Sequence, residues 1–486
     1  MTAAIKFGTD GWRGVIADDF TDARAAMVVQ AAAEAWAEEA RAAERGAGAP
    51  RSPARPIVVG YDTRFNSRAV AEQAADILAA NGWPVLLSDR AVPTPLVSFA
   101  VVARGAAGGL VVTASHNPAR FNGIKLKAPF GGSVSPEFTA TVEAALGRSA
   151  PRLTGAADRG RVERVDLVPA YLERLRSRVL ADRRPPRPLR IVADALHGAT
   201  DGLLRALVPP GWGEVRVLHE APDPLFGGLH PEPIPPHVDA LAAEVRGSRA
   251  DIGLAMDGDG DRLGVVAPDG RWVSPHAVLA LLTRHLVRVR GWRGEVVKGF
   301  AVGVQVDRVC ARLGLQLHVT PIGFKHIATL MQSRDILLGG EESGGVGFRD
   351  HLPERDGLLS ALLVLEAVVA SDGGLDSLLR SLEAEAGPAV YRRRDYALHP
   401  EIGRRLVARL DAAPPERFGT RRVTRVEALD GRKYWLDDGA WVLVRASGTE
   451  PLLRIYIEGP TETEVDDLHA EAQRLVERET KEADPA

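Results

Sequence analysis

The chain has 486 residues, 45% of them hydrophobic and 26% charged, with a net charge of -3. That length exceeds what one hydrophobic core serves and calls for three or four domains, while the near-neutral balance offers no electrostatic case for nucleic acid or a membrane surface. The only cysteine, Cys310, excludes an internal disulfide; no apolar run approaches the roughly 20 residues of a membrane span, and Met1 to Gly14 has no apolar core of signal-peptide length, so a cytoplasmic globular protein is expected.

The first segment, residues 1–150, opens on Phe7-Gly8-Thr9-Asp10-Gly11-Trp12-Arg13-Gly14, where glycines permit a tight loop and Arg13 could reach a phosphate or carboxylate. A helix from Asp22 to about Arg45 leads to an Ala/Pro/Gly/Arg-rich loop, Gly46 to Pro56. Strand Pro56–Asp62, helix Ser67–Asn81, strand Pro84–Ser88, helix Pro95–Arg104 and strand Gly109–Val112 give a β-α-β-α-β order and a mostly parallel sheet. That last strand runs into Thr113-Ala114-Ser115-His116-Asn117-Pro118, whose polar side chains fall at a sheet edge, where open α/β sheets do chemistry.

Residues 151–165 read as a linker. The second segment, 166–272, has helix Leu167–Leu180, strand Leu189–Asp194, strand Val215–Leu218, helix His237–Arg246 and strand Ile252–Met256, which ends in Asp257-Gly258-Asp259-Gly260-Asp261-Arg262. The third, 273–386, repeats the pattern with helix Pro275–Val289, strand Glu295–Gly299, helix Val302–Leu313, strand Leu317–Pro321, helix Gly323–Met331 and strand Ile336–Gly339. Its last strand meets Gly340-Glu341-Glu342-Ser343-Gly344-Gly345, and helix Leu358–Ala370 follows. The fourth, 387–486, has helix Ile402–Leu410, strands Val423–Leu429, Tyr434–Leu436, Trp441–Arg445 and Leu452–Ile457, and helix Glu462–Arg478, an α+β order with antiparallel strands. The fold class expected is three similar α/β domains with mixed, mostly parallel sheets plus a C-terminal α+β domain around a central cleft.

Asp257, Asp259 and Asp261 alternate with glycines that let the carboxylates converge. Three carboxylates so close repel unless a cation sits among them, and hard oxygen ligands suit Mg²⁺. An EF-hand needs glycine at its sixth and glutamate at its twelfth position, where this chain has Arg262 and Pro268. Ser115 lacks the Gly-x-Ser-x-Gly elbow of a hydrolase. Only 7 of the 61 basic residues are lysine, and Lys125, Lys127, Lys298 and Lys325 fall beside the polar segments. Lysine is a compact charge whose pKa shifts readily, which guanidinium does not imitate. Arg445-Ala446-Ser447-Gly448-Thr449-Glu450-Pro451 combines a forked cation, two hydroxyls and backbone N–H groups freed by glycine, a composition suited to a phosphate.

These four segments, in this order, resemble the α-D-phosphohexomutases, the family of phosphoglucomutase, phosphomannomutase and phosphoglucosamine mutase. The resemblance runs from Phe7 to the last domain. It implies a phosphorylated Ser115, which together with Asp257, Asp259 and Asp261 holds one Mg²⁺, with Mg²⁺ and Arg262 neutralising charge on the transferring group and Arg13 among the catalytic residues. It implies a hexose 1,6-bisphosphate intermediate and activator. The proton of the attacking hydroxyl would pass to Lys125, His116 or Lys325, with the family pattern favouring Lys125. Lys298 and Lys325 would meet phosphate or sugar oxygens, Glu341 and Ser343 a sugar diol, and Arg445, Ser447, Gly448 and Thr449 the phosphate not being transferred. The implied activity interconverts hexose 1-phosphate and 6-phosphate, glucose first, with mannose, glucosamine or a metal-dependent sugar-phosphate phosphatase as alternatives.

Overall fold

The computed structural model describes residues 5–8, 10–47, 55–153, 161–446 and 452–483. The chain forms two compact units, residues 1–275 with 323–377, and residues 276–322 with 378–486.

Two mixed sheets dominate the first unit. One has six strands in the order Trp12–Val15, Phe121–Lys127, Gly108–Val112, Ile57–Tyr61, Val85–Ser88, Val162–Val165. Its four last-named strands run parallel, and the Phe121–Lys127 strand is antiparallel to both neighbours. The Val162–Val165 strand lies inside the stretch expected as a linker: its polar Glu163 and Arg164 disguise an edge strand, exposed as such positions are. The second sheet runs Trp272–Val273, Leu263–Val266, Ile252–Met256, Leu189–Asp194, Gly213–Leu218, parallel across its last three members. This unit also holds the antiparallel pair Ile336–Gly340 and Val346–Phe348. The second unit contains the parallel pair Glu295–Gly299 and Leu317–Thr320, and an antiparallel sheet of Val390–Ala397, Leu452–Gly459, Trp441–Ala446, Arg432–Leu436, Arg421–Glu427 and Arg417–Phe418. Three α/β/α domains and an antiparallel C-terminal domain thus make up the chain, and the third of them contributes elements to both units.

Strand periodicity explains where the polar groups go. In Phe121–Lys127, Ile124 and Leu126 enter a core built with Val59, Leu110 and Val112. Alternation then sends Lys125 and Lys127 to the opposite face, where both are nonetheless buried. Helix Gly357–Val369 is wholly buried and apolar but for Ser360 and Glu366. Asp356 caps it, accepting from the N–H of Leu359 at 2.9 Å, an interaction worth about 1 kcal/mol. The first residue of this helix must be glycine, because a Cβ on Gly357 would lie 2.7 Å from the carbonyl oxygen of Arg262. The buried helix therefore abuts the aspartate loop directly. Among the described residues no single helix is long and apolar enough to cross a membrane.

Candidate active site

Because Ile57–Tyr61 and Gly108–Val112 are parallel neighbours, the loops that follow them meet at one sheet edge. Ser115 stands there with φ of 53°, a left-handed backbone uncommon for a side chain of its size. Its amide donates to Thr113 Oγ1 at 2.8 Å, and its hydroxyl donates to Asp257 Oδ2 at 2.9 Å. His116 Nδ1 is 3.5 Å from the same hydroxyl oxygen. The serine loop and the aspartate loop touch backbone to backbone, since a Cβ on Gly258 would fall 2.7 Å from the Ser115 carbonyl oxygen.

Asp257, Asp259 and Asp261 are fully buried, and one ligand oxygen from each lies within 4.8 Å of the others. Asp257 Oδ1 accepts from the amides of Asp261 and Arg262 at 2.9 and 3.1 Å. Burial, reinforced by Asp261 and Asp259, pushes the Asp257 carboxyl well above the usual carboxylate range. Asp259 Oδ1 and Asp261 Oδ1 are buried without a hydrogen-bond partner. Orphaned carboxylate oxygens that converge from one short loop fit a hard divalent cation such as Mg²⁺.

A second layer of charge surrounds the triad. Lys125 Nζ lies 2.8 Å from Asp10, 2.9 Å from Asp259 and 3.0 Å from Asp261. Burial alone would lower the lysine pKa, but these three carboxylates outweigh it and raise it. Asp259 also accepts from Thr94 Oγ1 at 2.6 Å. Arg355 reaches Asp10 at 2.6 Å, Asp261 at 2.8 Å and Glu341 at 3.4 Å. Burial pushes Asp10 up, yet Lys125, Lys127 and Arg355 together hold it well below the ordinary value. Lys127 pairs with Glu354. Arg262, nearly buried, lies 3.6 Å from Glu232, and Arg13 Nη1 donates to Asn117 Oδ1 at 2.6 Å.

The structure thus brings Ser115, His116, Lys125, Arg262, the three aspartates and Glu341 into one charged neighbourhood of the first unit. Glu341 Oε1 accepts from the amide of Gly323 at 3.1 Å, and burial raises its carboxyl to about 7. Ser343 is half-buried in the same turn. Lys325 lines a cavity of about 240 Å³ together with Asp10, Ser133 and Glu143. The expected substrate role for Lys298 meets a different arrangement. It is buried in the second unit and donates to Asp307 and to the carbonyls of Val302 and Gly303, a set that consumes an ammonium's three donors. Arg445, also in the second unit, bonds Asp430 at 2.7 Å. Ser447, Gly448 and Thr449, like Thr9, lie outside the described residues. The sequence reading did not assign Asp10, Thr94 or Arg355 to the site. Asp10 and Arg355 are joined across 345 positions, and no local pattern announces such a pair.

Four family models of phosphoglucomutase/phosphomannomutase match in chain order: α/β/α domain I over residues 4–152, domain II over 169–270, domain III over 274–385 and the C-terminal domain over 407–475. A phosphoglucosamine mutase of Frankia alni is 33% identical, with 96% of each chain covered. A phosphoglucomutase/phosphomannomutase of Thermococcus kodakarensis is 30% identical, covering 94% of this chain and 95% of its own. A crystal structure from Thermus thermophilus, provisionally named a phosphomannomutase, superposes with a TM-score of 0.84 at 37% identity and covers 98% of this chain and 100% of its own.

Proposed function

The chain belongs to the phosphoglucomutase/phosphomannomutase family of α-D-phosphohexomutases, and from that premise we propose that it interconverts hexose 1-phosphate and hexose 6-phosphate through phospho-Ser115. The observation that carries this reading is the Ser115 hydroxyl, 2.9 Å from Asp257 at the entrance of a buried aspartate triad. Ser115, Asp257, Asp259 and Asp261 would hold Mg²⁺, which when bound supplies charge neutralisation for the transferring phosphoryl group.

In one half of the cycle the phosphorus–Oγ bond of phospho-Ser115 breaks, and a bond forms from phosphorus to a sugar hydroxyl, giving the hexose 1,6-bisphosphate. The second half returns the other phosphate to Ser115. The bisphosphate therefore also primes unphosphorylated enzyme. The candidates for accepting the proton lost by the sugar hydroxyl are Lys125, His116 and Lys325; the carboxylates that raise the Lys125 pKa keep its ammonium charged and weigh against it, and His116 Nδ1 is the one placed 3.5 Å from Ser115 Oγ. Arg13 and Arg262 add positive charge beside the reacting groups. Glu341 and Ser343 serve the sugar hydroxyls. Arg445, Ser447, Gly448 and Thr449 keep the proposed role of holding the phosphate that is not being transferred.

Glucose phosphate is the sugar we assign, from the Glu341-Glu342-Ser343 form of the loop. Glucosamine phosphate is the second reading, favoured by relatives named phosphoglucosamine mutase. A coupled assay on the 1-phosphates of glucose, mannose and glucosamine, with and without bisphosphate, ranks them. Intact mass should show one phosphate on Ser115, and Ser115→Ala should lose nearly all turnover while still binding sugar phosphate. Full activity in that variant removes the mechanism, and release of inorganic phosphate without isomerisation means a phosphatase instead.

A further inference from the structure

Beside the serine loop lies an arginine that hydrogen-bonds no side chain assigned to the reaction. Arg64 follows the strand Ile57–Tyr61, is 3% exposed, and bonds with every N–H of its guanidinium. Nε donates to Asp62 Oδ2 at 3.1 Å. Nη1 donates to the carbonyls of Pro118 at 2.9 Å and Phe121 at 3.0 Å. Nη2 donates to the carbonyls of Ser115 and Asn117, each at 2.6 Å. Five donors meet five acceptors, the full capacity of the group. Four of the acceptors are backbone carbonyls of the segment 115–121, so the fork fixes where that backbone turns.

The same residue is anchored from behind. Asp62 accepts from its own partner's amide, Arg64 N, at 3.0 Å, and from Ser67 Oγ at 2.7 Å and Thr113 Oγ1 at 2.6 Å. That Thr113 oxygen in turn accepts the amide of Ser115. The guanidinium carbon lies 4.8 Å from the ring centroid of Phe226, a fully buried residue of the second α/β domain. Ser115 is thus gripped at its carbonyl by Arg64 and at its amide by Thr113, with both grips joined through Asp62.

We propose that Arg64 is the positioning residue of the phosphoryl-carrying serine: it holds Ser115 in its left-handed backbone so that the hydroxyl faces Asp257. This rests on the reading of Ser115 as the phosphoryl carrier. Arg64 touches no reacting atom and acts through four carbonyls. Lysine cannot replace it, because a single ammonium has three donors at one point and cannot span two pairs of carbonyls in one plane.

The test is steady-state kinetics on Arg64→Lys with glucose 1-phosphate and bisphosphate at saturating Mg²⁺, alongside thermal melting. The expected result is a kcat about 10²-fold lower, the scale of loss for a reacting group misplaced by about 1 Å. KM for the sugar phosphate should stay within about threefold of the parent, since a positioning defect in the phosphoryl-carrying serine leaves sugar binding alone. A kcat within about threefold of the parent overturns the proposal, and so does a loss that falls on KM instead. Should Arg64→Lys fail to fold, Asp62→Asn decides. It keeps the side chain's shape but removes the carboxylate that joins the Arg64 and Thr113 grips, and an unchanged kcat in that variant overturns the proposal. Ser115→Ala, run in parallel, separates the two ideas. If it is active, the reading of Ser115 falls and the proposal with it; if it is inactive while Arg64→Lys is fully active, only the role of Arg64 falls.

Discussion

Two lysines, one in each unit, are equally well buried and are treated in opposite ways. Lys125 in the first unit is ringed by Asp10, Asp259 and Asp261, which arrive from the N-terminal loop and the aspartate loop. Lys433 in the second unit has no carboxylate paired with it among the described residues. Its ammonium lies 3.9, 4.7 and 5.4 Å from the ring centroids of Trp441, Trp435 and Phe300, and donates to the Phe300 carbonyl at 3.1 Å. Burial, with Lys298 adding to it, lowers the Lys433 pKa to about 7, whereas that of Lys125 is raised. Carboxylates converging from separate loops preserve a charge, and a preserved charge is what phosphoryl chemistry uses. Ring faces tolerate a charge, at a cost to stability, and serve packing.

The sharpest way to break this contrast is Lys125→Met. It removes the ammonium shared by Asp10, Asp259 and Asp261 and leaves Asp259 buried with no cation of the described residues in direct contact, which should cost about 3–5 kcal/mol in urea unfolding. Turnover should fall about 10²–10⁴-fold in the coupled assay. A folded variant with near-parental activity would mean that the ammonium is not needed. Next comes Asp259→Asn, which keeps an oxygen for Thr94 but removes a negative charge from the triad. Mg²⁺ affinity should fall about 10²-fold by calorimetry, and chelation should abolish parental activity until Mg²⁺ is returned. Chelated, metal-free protein that kept its rate would refute the metal assignment.

The smallest effect belongs to Lys433. Its folded pKa, about 7, lies below that of an unfolded lysine. Between about pH 7 and pH 10.5 the unfolded chain therefore holds a proton the native state has released, and stability rises with pH across that window. Below it both states are protonated and the penalty is present in full. The rise should be on the order of 2 kcal/mol once cation–π attraction is allowed for. Urea melts from pH 7 to 10 should show it in the parent and not in Lys433→Met; equal slopes would mean that the rings keep Lys433 charged.

What could be read from the sequence follows from how far apart the cooperating residues lie. Asp257, Asp259 and Asp261 are legible because a cation needs them together and a six-residue loop supplies them. Ser115 is legible because it closes an apolar strand. Arg64 is not, since it acts on backbone carbonyls, which every residue has. Arg355 is not, since its partners Asp10 and Asp261 come from distant loops. Lys298 sits beside a strand end and resembles a ligand-facing cation in sequence, but Asp307, nine positions on, claims it from the next helix. The strand Val390–Ala397 was hidden by Arg392, Arg393 and Arg394, which interrupt the alternation that would announce it. The alternation Ile124-Lys125-Leu126-Lys127 is readable once the lysines are allowed to be buried.

That burial changes how the protein presents itself to chemistry. Of seven lysines, Lys125, Lys127, Lys298 and Lys433 are each no more than 2% exposed. Reagents that acylate amines, and proteases that cut only after lysine, thus find more than half of their side-chain targets sealed inside the folded chain. Arginine, with its many surface positions, carries nearly all of the outward positive charge. Unfolding is what would reveal these four amines, so their reactivity reports the folded state of the interior, against the background of accessible amines such as Lys6.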